Sequence, residues 1–207
     1  MRSTSLFLGS LLLSLGAGAA VSGCSGDDGD PALAETRAAF VGTWRSPCSP
    51  MPMEDGSTAW SRYEVVNRGE RGSFQFSLFG DEACSFPLAD FLLESRQVIG
   101  ALVPGAGPGV RELDIYYERQ SVTPHVPGFV EAFRAAGCGT EAHEVGRSVD
   151  TSATGCLAFR TIETCNADYD LILVEGDRFY NGVRGGDMCE PEGRPSALNA
   201  FWFERQR

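Results

Sequence analysis

The sequence predicts a mainly β protein: a single antiparallel β-barrel of eight or nine short strands with one short helix, braced by disulfides. Three observations carry this expectation. Apolar and polar residues alternate with period two in several stretches, as in strands with one buried face. Turn residues separate those stretches at short, even spacing. Six cysteines remain once one is set aside for the N-terminal region, an even number that suits an exported chain. A barrel is preferred to a sandwich because closure leaves no sheet edge open to a neighbour. Eight strands also give an interior that side chains or one small ligand can fill.

In chain order, Ala32 to Val41 reads as a short helical turn with Leu33, Arg37 and Phe40 on one side, leading into Gly42-Thr43-Trp44-Arg45-Ser46. A loop containing Pro and Met follows. Trp60 to Asn67 and Ser73 to Phe79 form a hairpin about Arg68-Gly69-Glu70-Arg71-Gly72, with Phe74, Phe76 and Leu78 alternating against Gln75 and Ser77. Leu92 to Val103 and Val110 to Gln120 make the next pair, and in the second Leu113, Ile115 and Tyr117 oppose Asp114, Tyr116 and Glu118. Val126 to Ala136 is the helix, with Phe129, Val130, Phe133 and Ala136 at helical spacing and Gly137 placed for a left-handed cap. Strands resume at Leu157 to Thr161, Tyr169 to Val174, Arg178 to Val183 and Leu198 to Arg205.

The chain opens on an export signal. Residues 1–23 hold one cation, Arg2, a leucine-rich apolar stretch, and small residues running into Val21-Ser22-Gly23-Cys24. The apolar stretch is too short and too interrupted to cross a bilayer, which needs about 20 apolar residues. Its last four residues match the bacterial lipobox, whose cysteine receives a diacylglycerol, so Cys24 is the expected lipidation site. Each buried CH₂ of the acyl chains contributes about 0.8 kcal/mol to anchoring. Ser25 after Cys24 points to the outer membrane in a Gram-negative host. The organisation is then signal peptide 1–23, acidic flexible tether 24–37 with SGDDGD directly after Cys24, and β-barrel domain 38–207.

Removing Cys24 from seven cysteines leaves Cys48, Cys84, Cys138, Cys156, Cys165 and Cys189 for three disulfides. Proximity favours Cys48 with Cys84 and two bridges among the rest. No C-x-x-C pair occurs, and His125 and His143 stand apart from any tight cysteine cluster, so no metal is expected.

All seventeen basic residues are arginine, against 28 acidic ones, for a net charge of -11. A chain without lysine forms no Schiff base and completes no P-loop, and its acidity excludes nucleic acid as a partner. No G-x-S-x-G elbow offers a serine nucleophile. His125 and His143 read as exposed loop residues, and the pairs Asp168/Asp170 and Glu112/Asp114 as solvated outer-face charges. No catalytic residue and no cofactor is therefore assigned.

Gly42-x-Trp44 after a helical turn resembles the opening of lipocalin-type barrels, in which a tryptophan closes one end and an arginine of the last strand packs across it. The resemblance gives those roles to Trp44 and Arg205. A longer set is more specific: Gly42-Thr43-Trp44-Arg45-Ser46-Pro47-Cys48, Phe79-Gly80-Asp81-Glu82-Ala83-Cys84, Val122-Thr123-Pro124, Cys138-Gly139, Tyr169-Asp170-Leu171 and Arg194-Pro195-Ser196-Ala197-Leu198. In this order they resemble the domain of the adenomatosis polyposis coli down-regulated family across about residues 38 to 205. The resemblance implies a barrel with an apolar pocket for a lipid chain. Animal members carry two barrels and a membrane span, so their Wnt antagonism is not implied for one barrel behind a lipobox.

The expected function is a non-enzymatic, membrane-anchored bacterial lipoprotein that binds a lipid-like ligand. Strand period nominates Phe74, Phe76, Leu113, Ile115, Tyr117, Leu171 and Leu173 as pocket lining. The alternative is a structural or protein-interaction lipoprotein of the envelope whose barrel is filled by its own side chains.

Overall fold

The computed structural model describes residues 30–53 and 56–207. The expected signal peptide and Cys24 lie outside the described residues. Part of the expected tether is instead helix: α1 spans Pro31–Phe40 and buries Leu33 and Phe40 in the core. Proline at the first helical position gives up an amide that would have had no partner there. The compact domain accordingly begins at Pro31 rather than residue 38.

The strands that follow are β1 (Gly42–Arg45), β2 (Ser49–Pro52), β3 (Thr58–Asn67), β4 (Arg71–Phe79), β5 (Pro87–Leu102) and β6 (Arg111–Pro124). After α2 (Pro127–Ala135) come β7 (Val149–Asp150), β8 (Ala167–Glu175), β9 (Arg178–Gly182) and β10 (Leu198–Arg205). Eight of them close an antiparallel barrel in the order β1-β10-β9-β8-β6-β5-β4-β3, sealed where β1 pairs with β3. The fold class is the one the alternation predicts. β2 continues along β3 beyond β1, and β7 continues along β6 beyond β8. Sequence inspection misses both, because β2 holds two prolines and β7 is only two residues long.

Residues opposed across antiparallel strands share a face, so the register identifies the inner wall. Trp44 opposes Val65, Val65 opposes Phe74 and Phe74 opposes Leu93; on the far side Ile99 opposes Leu113 and Leu113 opposes Asp170. Two apolar clusters result. The lower one packs α1 against Trp44, Ile99, Leu113, Ile172 and Phe179, closing that end of the barrel. The upper one gathers Leu78, Phe91, Val122 and Phe133 of α2 with Phe159 beside them.

Helix α2 ends as Gly137 expects: its φ is +70°, and the amide of Cys138 donates to the Phe133 carbonyl at 3.0 Å. The bridges are Cys48–Cys84, Cys138–Cys156 and Cys165–Cys189. Disulfides of this kind belong to chains that mature outside a reducing cytosol. Leu157 to Thr161 is not a strand. Gly155 and Leu157 both adopt left-handed backbone, at φ +68° and +52°, and curl the chain into a strap across the upper end of the barrel.

Candidate functional site

At the closed end the Arg205 guanidinium lies 4.1 Å from the centroid of the Trp44 ring. Strand pairing puts the two directly opposite each other. Arg205 also donates to the carbonyls of Ala39 and Val41, and the Trp44 indole N–H donates to the Phe40 carbonyl at 2.8 Å. Gly42, at φ +143°, leaves room for this guanidinium, since a Cβ there would meet it at 2.8 Å. This end is therefore shut by charge-over-ring packing and by hydrogen bonds to the end of α1.

Five of the seven nominated lining residues, Phe74, Phe76, Leu113, Ile115 and Tyr117, do face the barrel interior. Leu113 is fully packed in the lower cluster rather than lining a pocket. Leu171 and Leu173 are corrected: they share a face with Glu112 and Tyr180, outside the barrel. Leu171 is nevertheless completely buried, because the 183–197 segment crosses there. Arg194 of that segment donates to the Asp170 carbonyl at 2.7 Å and to the Asp114 carboxylate at 2.6 Å, and lies over the Tyr169 ring.

The inversion on β8 has a chemical cause. Asp168 and Asp170, expected as solvated outer charges, point inward and are 4% and 2% exposed. Asp168 accepts from the Tyr117 hydroxyl at 3.1 Å and from Arg184 at 2.5 Å. Asp170 accepts from the backbone amides of Leu171 and Gly182, at 2.7 and 2.8 Å. Burial pushes the Asp170 carboxyl up to about 6, against the pull of those amides and of Arg184. Burial likewise raises the Tyr117 hydroxyl far above its ordinary range, reinforced by the Asp168 charge. Glu112 and Asp114 do lie on the outer face, where Arg194 reaches both.

The histidines divide. His125 bonds Asp90 at 2.8 Å at the upper rim. His143 is not the exposed loop residue its polar neighbours suggest. It is 5% exposed, packs on Phe133 with ring centroids 5.8 Å apart, and donates from Nε2 to the Cys138 carbonyl at 2.5 Å.

The upper end holds the arrangement closest to a ligand site. A narrow crevice, partly open to solvent and too tight to admit a water molecule, is lined by Phe91, Leu93, Gln120, Val122, Thr151 and Phe159 among others. Phe159 stacks on Phe91 at 5.1 Å between centroids and lies 6.5 Å from Phe76. The Gln120 side-chain amide donates to the carbonyls of Thr151 and Arg160, at 2.7 and 3.0 Å, tying the strap down from inside the barrel. Phe159 and Gln120 carry no distinguishing sequence signal. The cysteines on either side of Phe159 were the available clue to a pinned crossing.

Among the described residues no group of three or more His, Cys, Asp or Glu could hold a metal ion, and no helix is long and apolar enough to cross a membrane. No family model matches the chain, and no curated protein matches it either.

Proposed function

We propose that the protein is an exported, membrane-anchored and non-enzymatic bacterial lipoprotein whose barrel takes an apolar ligand at its upper end, beneath the strap. The observation that carries this is the apolar seam of Phe91, Leu93, Val122 and Phe159, closed over by a segment outside the sheet rather than by a strand of the barrel. Apolar walls with few polar groups are what small-molecule sites are built from. Anchoring rests on the Gly23-Cys24 lipobox, and a bacterial envelope location follows from it. Membership of the adenomatosis polyposis coli down-regulated family is part of the same reading, supported by the G-x-W opening and its arginine partner.

The packed lower end favours a second reading, a side-chain-filled barrel that meets an envelope partner through its acidic outer face. Trp44, Leu113, Ile172, Phe179 and Phe203 are each at most 3% exposed, which leaves no site there. Native mass spectrometry of the domain isolated from its own host, followed by organic extraction, separates the two. A co-purifying apolar molecule near one-to-one supports the ligand reading; a bare mass together with no uptake of a fluorescent fatty acid selects the filled barrel. Cys24→Ala should move the protein from the membrane fraction to the soluble one, and retention in the membrane would overturn anchoring through Cys24.

A further inference from the structure

We propose that Phe159 is the resident occupant of the upper apolar site, an internal stand-in that a ligand's acyl-chain end or aromatic ring displaces by swinging the strap. The inference rests on the ligand reading above and supplies its gate. Size leads to it first. The side chains beneath the strap leave no room for even one water molecule, so a ligand of any size needs a resident group to leave. The Phe159 ring borders this crevice and is stacked on Phe91, so its departure would open a ring-sized space there.

The way the strap is held suits displacement. It contributes no strand to the barrel; residues 157–164 are held by the Gln120 amide on the Arg160 carbonyl, the Ile162 amide on the Ser152 carbonyl at 2.9 Å, a turn between Cys156 and Phe159, and exposed contacts from Arg160 to Asp187 at 3.0 Å and to Cys189 Sγ at 3.6 Å. Exposed pairs of that kind hold weakly. Cys156 is bonded to Cys138, at the end of α2, and Cys165 to Cys189, in the 183–197 segment. Residues 157–164 can therefore move between two covalent pins without unravelling the domain. Leu157 holds left-handed backbone at φ +52° with its side chain 59% exposed, an unfavourable state for leucine on both counts. Such strain is relieved when the strap lifts. No charged side chain lines the crevice, so the inserted portion of the ligand is uncharged, with any head group left at the rim.

The test uses the full chain with its disulfides intact and cis-parinaric acid as the fluorescent probe. Phe159→Ala should bind it at least tenfold more tightly than the wild type, and Phe159→Leu, which keeps a smaller apolar plug, should fall between them. Glu163→Gln, at an exposed position of the same segment, should bind like the wild type. In the wild type, the probe should speed hydrogen exchange across residues 157–161. If the wild type binds while both Phe159 variants bind no tighter and strap exchange is unchanged, the gate is wrong and the ligand reading survives. If no form takes up the probe, both fall. Should Phe159→Ala not fold, Phe159→Leu and the exchange measurement decide.

Discussion

Arg205 joins the last strand to the first helix through single atoms: its guanidinium covers Trp44 and donates to the Ala39 and Val41 carbonyls. Arg205→Ala should cost about 1–3 kcal/mol in urea unfolding, from the lost cation–π contact and the lost bonds to the exposed Val41 and half-buried Ala39 carbonyls. Arg205→Lys should recover only part, because an ammonium has no planar face to lay on the indole. Asp170 supplies a pH dependence. Its carboxyl binds a proton more readily when folded, near 6, than when unfolded, so this group favours the fold in acid and opposes it increasingly as pH rises from about 4 through 6. Asp170→Asn keeps an oxygen for the Leu171 and Gly182 amides. It should flatten the stability profile over that window, with a gain relative to wild type that grows toward ~3 kcal/mol at neutral pH. Trp44 and Arg205 were legible because a tripeptide and a terminal strand position mark them. The inward aspartates were not, since two carboxylates beside tyrosines and leucines read as an outer face until Arg184 and the paired amides are located.

At the scale of elements, period two identified β3, β4 and β6 because each buries one face only. β8 is covered on both faces, by the core within and by the 183–197 segment without, so its alternation carries no orientation and does not reveal that Leu171 and Leu173 face outward. The apolar run after Cys156 reads as a strand because nothing in its residues marks Leu157 as left-handed. Helix α1 shows only a weak apolar stripe, yet Leu33 is 3% exposed; Leu33→Ala should cost about 2–5 kcal/mol in thermal or chemical unfolding. The disulfides differ in what they restrain. In the chain-entropy account, the 36-residue separation of Cys48–Cys84 predicts a loss of about 4 kcal/mol when both become Ala, and the 18-residue separation of Cys138–Cys156 about 3. Of these two, only the loss of Cys138–Cys156 should selectively speed hydrogen exchange over residues 151–165, because it pins the strap rather than the barrel wall.

For the whole molecule, closure depends on segments far apart in the chain. β1 joins β10 through only two residue pairs, Trp44 with Arg205 and Arg45 with Glu204, while holding β3 through four. Deleting residues 198–207 should remove the cooperative thermal transition, since β9 would lose its neighbour and the Trp44 end its lid. Barrel class and the presence of three bridges were readable from strand count and cysteine parity. The order of strands was not, because nothing local to β2 or β7 says that each extends a neighbour it does not follow around the ring. β2 has one further consequence. Pro50 and Pro52 have no amide proton, so its ladder to β3 runs through Ser49 and Met51, and the alternate positions facing away from β3 offer no donors. Two molecules crowded side by side on a surface thus find no continuous hydrogen-bond template there. Replacing both prolines by Thr would create one, and self-association would appear as a concentration-dependent rise in sedimentation coefficient.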